Sequence, residues 1–258
     1  MVKLTINGQE VEVEEGLSIL EVASRMGIKI PTLCYHPAVS AYGACRLCTV
    51  EVNEGGLSRL TTSCTYSVKE GIKVKTDSEK VKKARRLIIE MLLARSPNVK
   101  VIQDLAKEMG VKKARFPQEE EDCILCGLCV RVCKEVIGAN AVGFANRGAK
   151  RKVTTPFEIQ SDTCIGCGAC AVVCPTQAIK IEDIEDKREI DVWHTELKRA
   201  KCERCGRYFF PEATIDYVKR KDLEKVKDLL RLCPECRRDT LINKLNKIRY
   251  KSNLIKVP

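Results

Sequence analysis

Cys123, Cys126, Cys129 and Cys133 follow one spacing, C-x2-C-x2-C-x3-C, and Cys164, Cys167, Cys170 and Cys174 repeat it with Pro175 directly behind. That spacing ligates a cubane [4Fe–4S] cluster: three thiolates converge from one tight loop, and the fourth follows on the departing helix. Where two such runs occur in one chain, each fourth cysteine ligates the other cluster. The expected sets are therefore Cys123, Cys126, Cys129 with Cys174, and Cys164, Cys167, Cys170 with Cys133. Gly127, Gly166 and Gly168 fit this reading, because small residues let backbone approach a large inorganic core. Zinc also takes four cysteines, but three evenly close thiols plus a distant fourth is not how zinc knuckles pair.

Eight further cysteines form two more sets. Cys34, Cys45, Cys48 and Cys64 have intervals x10, x2 and x15. Four thiolates are what a [2Fe–2S] cluster needs, and plant-type spacing would have x4 where this chain has x10. The first ligand thus sits at the end of a longer loop. Cys202, Cys205, Cys233 and Cys236 make two C-x2-C knuckles separated by 27 residues, a tetrahedral thiolate set that zinc and a rubredoxin-type iron both accept. Gly206 after the first knuckle suits the iron, whereas Arg237 after the second does not. The lysine-rich, aromatic-poor surroundings favour zinc.

Elements that position these residues are legible in the pattern. Leu4, Ile6, Val11 and Val13 alternate about Asn7-Gly8, which predicts a hairpin. Ser18 and Glu21 form a capping box for a short helix ending near Gly27. Strands are expected at Thr49–Val52 and Ile72–Lys75, an element order that fits a β-grasp ferredoxin. Asp77 to Ala94 predicts a helix capped by Asp77 or Ser78, with Val81, Ala84, Leu87, Ile88, Met91 and Leu92 on one face. Trp193 reads as core or interface. Asp222–Leu232 and the basic stretch Leu241–Ile248 have helical patterns. The fold class is α+β, in four parts: a β-grasp [2Fe–2S] domain (1–77), a helical linker (78–115), a bacterial-type 2[4Fe–4S] ferredoxin domain (116–185) and a basic, zinc-ribbon-like C-terminal domain (186–258).

Ile30-Pro-Thr-Leu-Cys34-Tyr-His36-Pro37, Gly43-Ala-Cys45-Arg46-Leu-Cys48-Thr-Val-Glu-Val52 and Ser63-Cys64-Thr65 closely resemble the N-terminal region of the large iron–sulfur subunit of NADH-quinone oxidoreductase. They also resemble the diaphorase iron–sulfur subunits of bidirectional hydrogenases and extensions of some iron-only hydrogenases and formate dehydrogenases. The resemblance runs from about Val2 to Ile181. It implies that Cys34, Cys45, Cys48 and Cys64 hold a [2Fe–2S] cluster, and that the partners are a flavoprotein handling NAD(P)H and a catalytic redox subunit, with ferredoxin as a further partner. Family members next carry a His-x3-Cys-x2-Cys-x5-Cys segment for another [4Fe–4S] cluster. Here Ser96-Pro97-Asn98-Val99 has neither histidine nor cysteine, so that cluster is expected to be absent. His36 reads as loop packing, since four thiols are already present, and Arg46 as a charge that could tune potential.

Composition bounds the function. Sixteen cysteines without a leader sequence point to a reducing compartment, hence the cytoplasm, and the most apolar run, Leu87–Leu93, is broken by Glu90 and too short to span a bilayer. The formal charge is +11, with 18 Lys and Arg against 9 Asp and Glu from Thr195 to Pro258. A basic tail on a metal ribbon raises the alternative of an iron–sulfur regulator that binds nucleic acid. Against it, few aromatics interleave with those basic residues, and a salt-dependent gel shift discriminates the two. All sixteen cysteines fall in complete sets, and there is no nucleotide loop, flavin signature or catalytic triad. The expectation is a non-catalytic electron-transfer subunit with one [2Fe–2S], two [4Fe–4S] and one zinc.

Overall fold

The computed structural model describes residues 1–220 and 224–252. These residues divide into two compact units. One comprises Met1–Gly138, Phe144–Val153 and Ala169–Ala178; the other comprises Ala139–Gly143, Thr154–Gly168 and the chain from Ile179.

In the first unit, β1 (Val2–Ile6) and β2 (Gln9–Val13) form the hairpin about Asn7-Gly8, with Ile6 opposite Gln9. Helix α1 (Ile19–Arg25) carries the capping box, Ser18 accepting from the Glu21 amide while Glu21 accepts from the Ser18 amide. Strands β3 (Thr49–Glu54), β4 (Leu57–Thr62) and β5 (Lys73–Lys75) complete a sheet of order β2-β1-β5-β3-β4, in which β1 and β5 run parallel. The alternation that marked β1 places Val2, Leu4 and Ile6 in the core with Val22, Val50 and Val52. Two amides at the start of α1, those of Ile19 and Leu20, donate to the carbonyls of Tyr66 and Ser63, so the helix anchors the turn that carries Cys64. Strand β4 has no sequence counterpart above: Leu57–Leu60 are all exposed, so no buried face marks it.

Helix α2 (Glu79–Arg95) is capped by Ser78 and followed by α3 (Lys100–Glu108). Its buried face overlaps the expected one in part, since Val81 is buried and Ile88 and Leu92 pack against the core. Leu87 and Met91 are exposed, whereas Val81, Ile89, Glu90 and Ala94 are buried. Arg85 lies on the inner side and donates twice to the Thr49 carbonyl, at 3.1 and 2.8 Å. Glu90 is tolerated because Arg115 gives its carboxylate two side-chain bonds, at 2.6 and 2.8 Å, and an amide bond at 2.8 Å. Those bonds, the side-chain ones foremost, hold the Glu90 carboxyl below its ordinary value. A depressed carboxyl stabilises the fold above its unfolded value and loses that contribution as pH falls through the folded one. Glu90→Gln is therefore expected to lower the thermal midpoint near neutrality, with the gap to the parent chain closing below about pH 4. A midpoint difference that is constant from neutral to acid pH contradicts this.

Helix α4 (Leu128–Arg131) runs into a π-helical turn over Val132–Ile137. Strands β6 (Gly143–Ala145) and β7 (Lys152–Thr154) form a short pair. Helix α5 (Ala169–Val172) packs on α4 and on the π-helical turn.

The second unit is built on a four-stranded antiparallel sheet of order β11-β10-β9-β8, comprising β8 (Glu182–Ile184), β9 (Lys187–Ile190), β10 (Thr195–Lys201) and β11 (Tyr208–Pro211). Helix α6 (Glu212–Lys219) packs on β10 and β11. Trp193 is 3% exposed, a core residue. Residues 224–231 form a 3-10 helix rather than an α-helix, and Asp222 lies outside the described residues. The last helix, α7 (Pro234–Ser252), includes Leu241–Ile248, but Leu241, Ile242 and Leu245 are exposed, so the expected amphipathic stretch buries no face through them. No helix among the described residues is long and apolar enough to cross a membrane.

Candidate iron–sulfur and metal centres

The first cysteine set lies at one end of the five-stranded sheet, and Cys34, Cys45, Cys48 and Cys64 are all buried. Their sulfurs and the nearby amides interlock: Cys48 and Cys64 Sγ are 3.3 Å apart, the Leu33 amide donates to Cys45 Sγ at 3.4 Å, and the Cys45 amide donates to Cys34 Sγ at 3.4 Å. A hydrogen bond from the Cys45 thiol, against the cost of burial and with amides and the Arg131 charge assisting, lowers Cys34 to about 6. A bond from the Cys64 thiol does the same for Cys48. Each partner, Cys45 and Cys64, is pushed up by the thiolate it serves. Four buried thiols are a donor set that cationic iron completes, because metal displaces their protons and neutralises the crowded charge. The residues fit a two-iron group.

The ten-residue interval between Cys34 and Cys45 has a structural purpose. This loop is gripped by the helix that leaves the first four-cysteine run. Arg131, 8% exposed, donates through Nη1 to the Ser40 carbonyl and through Nη2 to the Cys34 carbonyl at 2.7 Å. It also reaches Gly127 O at 3.3 Å and Cys126 O at 3.4 Å. Glu135 accepts from the Ser40 amide and hydroxyl, both at 2.7 Å. Tyr42 at the loop's tip stacks on Phe144, with centroids 6.1 Å apart, and takes a bond from Arg151. An x4 loop has too few residues to reach these partners.

Cys126 and Cys129 are buried and Cys123 half-buried, and the Leu125 amide donates to Cys123 Sγ at 3.4 Å. Burial pushes all three thiols up, Cys126 to about 11. Helix α5, which leads to Cys174, packs on α4 and on the π-helical turn. Gly127 also has a packing reason to lack a side chain. It has φ 69°, and a Cβ would stand 2.8 Å from Phe144 Cζ. The aromatic ring that steadies the Cys34–Cys45 loop occupies the space a side chain would take.

Cys164 and Cys167 lie in the second unit, Cys133 and Cys170 in the first. The turn at Cys164–Gly168 is braced by the second unit's sheet. Arg188 forms a two-pronged pair with Asp183, at 2.7 and 2.8 Å, and gives its remaining nitrogen to Gly166 O at 2.8 Å. Thr214 donates to the Ile165 carbonyl. A Cβ on Gly166 would meet Leu197 Cδ1 at 2.6 Å and Pro211 Cγ at 2.9 Å.

The fourth set is compact: the sulfurs of Cys202, Cys205, Cys233 and Cys236 lie within 4.8 Å of one another. The first knuckle is the turn between β10 and β11, closed by Cys202 N to Arg207 O and Gly206 N to Cys202 O. The second opens α7, and the Cys233 amide donates to Cys202 Sγ at 3.3 Å. Burial opposes ionisation of Cys202, but amides of Cys233, Cys205 and Arg204 outweigh it and bring the thiol to about 6. Burial, then the other three thiols, push Cys236 to about 12. Four sulfurs around one point suit a single tetrahedral metal ion.

His36 makes a local bond, its Nδ1 accepting from the Ala38 amide. Arg46 is exposed, with φ 61°, and its carbonyl accepts from Thr49. Other cations do reach ligand segments: Arg95 Nε donates to the Cys123 carbonyl at 2.8 Å, and Arg131, which the sequence reading passed over although it stands between Cys129 and Cys133, bonds carbonyls of both the Cys34 and the Cys126 segments.

Residues 1–79 match the 2Fe-2S iron–sulfur cluster binding domain and residues 157–180 the 4Fe-4S binding domain. The chain is 36% identical over 201 residues to NADPH-Fe(3+) oxidoreductase subunit alpha of Geobacter sulfurreducens, covering 68% of this chain and 24% of that one. It is 33% identical over 184 residues to the mitochondrial NADH-ubiquinone oxidoreductase 78 kDa subunit of Candida albicans, covering 61% and 25%. It thus spans about a quarter of the length of these relatives. Among solved structures, a chain from the NAD+-reducing [NiFe]-hydrogenase in the H2-reduced state superimposes with TM-score 0.59 at 24% identity, over 84% of this chain and 96% of that one. The fold resemblance is thereby shown on both the sheet-bearing and the cluster-run segments.

Proposed function

From its kinship with the iron–sulfur subunits of NAD(P)H oxidoreductases, we propose that this chain relays single electrons between a flavoprotein that handles NAD(P)H and a catalytic redox subunit or ferredoxin, in the cytoplasm. Cys34, Cys45, Cys48 and Cys64 hold a [2Fe–2S] cluster in this reading. Cys123, Cys126, Cys129 and Cys174 hold one [4Fe–4S] cluster, and Cys164, Cys167, Cys170 and Cys133 the other. Such clusters each supply a one-electron couple. The protein's own contribution is to bury the thiolates, give them amide donors and fix the ligand loops against one another. Cys202, Cys205, Cys233 and Cys236 hold structural zinc; amide bonds to Cys202 support any tetrahedral metal, and exposed Cys205 beside Arg207 and Glu235 gives the site a wet edge ill suited to a tuned iron.

The observation that carries the relay reading is the buried contact between the Cys34 and Cys126 ligand segments through one side chain, a built connection between two redox sites. Its test uses anaerobically purified full-length chain. The chain alone is expected to accept electrons from dithionite and pass them to ferricyanide, yet to leave NADH, formate and hydrogen unconsumed, with NADH oxidation appearing only on adding a flavoprotein subunit. Turnover of any of these substrates with a dye by the chain alone overturns the proposal.

A further inference from the structure

Arg131 carries more than packing. Its guanidinium is buried, and among the described residues its hydrogen-bond acceptors are the carbonyls of Ser40, Cys34, Gly127 and Cys126 rather than a carboxylate. Tyr42 lies with its ring centroid 5.5 Å from the guanidinium carbon. A buried cation satisfied by carbonyl dipoles keeps most of its field, and burying it is costly unless something nearby is anionic. What lies nearby are two thiolate sets, since two of the four carbonyls belong to residues whose side chains are Cys34 and Cys126. Glu135 accepts its hydrogen bonds from Ser40, although its carboxylate also feels the Arg131 charge.

We propose that Arg131 is a positioning residue shared by two cluster sites: its forked bonds fix the Cys34 and Cys126 ligand segments at one separation, and its charge favours the reduced state at the Cys34 site. This rests on the electron-relay reading. Reduction there adds one electron and hence one negative charge, with no bond made or broken, so a fixed positive charge beside Cys34 raises the reduction potential. The bonds and the charge are separable. Lysine keeps the charge but cannot reproduce the fork, methionine removes both, and Glu135→Gln loosens the loop's other tether while leaving Arg131 in place.

The experiment compares the full chain with Arg131→Met, Arg131→Lys and Glu135→Gln. It reads iron content, an EPR-monitored redox titration, and hydrogen exchange of residues 35–44. Arg131→Met is expected to lower the [2Fe–2S] potential by at least a tenfold change in the one-electron equilibrium, about 59 mV, and to speed loop exchange. The potential of the centre on Cys164 and Cys167 stays unmoved. Arg131→Lys is expected to recover most of the potential but not the loop protection, and Glu135→Gln to speed exchange without lowering the potential. If Arg131→Met does not assemble its clusters, the Lys and Gln variants carry the test alone. Unchanged potential in a loaded Met variant, or equal potential losses in the Lys and Gln variants, overturns the proposal. A parent chain whose clusters cannot be reduced reversibly instead defeats the relay reading.

Discussion

Cys233→Ser is expected to unfold the chain from about Lys198 onward while most of the iron–sulfur absorption survives. Binding of a structural zinc by four thiolates contributes roughly 10–16 kcal/mol of apparent free energy, as much as a whole domain's net stability of about 5–15 kcal/mol. The small core around the site has little else to rest on. Among the described residues, Cys202, Cys233 and Cys236 are themselves half of its six buried ones, with Phe209, Ile215 and Leu230. Losing one ligand therefore removes both the metal and the centre of the core. The structure adds a consequence for the second cysteine run. Pro211 and Thr214, which brace Gly166 and Ile165, lie beyond Lys198, whereas Arg188 lies before it. The centre on Cys164 and Cys167 should then survive purification under nitrogen but be lost to air sooner than in the parent, with the other two centres unaffected. Hydrogen exchange over residues 198–246 and metal analysis of the full chain check this. Retained protection in the Ser variant, or a red, reducible iron in place of zinc in the parent, contradicts it.

Cys174→Ser has the second large expected effect: loss of the cluster on Cys123, Cys126 and Cys129, about four irons of ten. Cys174 is nearer in sequence to Cys170 than to Cys129, so an uncrossed arrangement would remove the other cluster. The crossed one is favoured because α5, which leads to Cys174, packs on α4 and on the π-helical turn. The assignment is read by comparing spectra: Cys174→Ser should reproduce Cys126→Ser and differ from Cys167→Ser. A match to Cys167→Ser refutes the crossing.

Much of this was legible in the sequence because it is local. Hairpin, capping box and cysteine runs are each specified within a dozen residues, where spacing alone fixes which side chains can converge. What escaped is set by partners far along the chain. Arg131 grips Cys34 O across 97 positions, and nothing near Cys129 announces that. The face of α2 was misplaced in part for the same reason. Leu87 and Met91 are the larger apolar residues, but the side that meets β3 and α3 carries Arg85 and Glu90, each made tolerable by a distant partner, Thr49 O or Arg115. At Gly127 and Gly166 a side chain would also run into Phe144, Leu197 and Pro211, contacts that only the folded chain supplies.

The relay account stands or falls on how many electrons the chain takes up and what holds them. Anaerobically purified full-length protein, analysed for metal and titrated with dithionite, is expected to contain about ten irons and to accept about three electrons reversibly, one per cluster, with signals from one two-iron and two four-iron centres. About fourteen irons with a third cubane signal, or clusters that are destroyed rather than reduced, would contradict it.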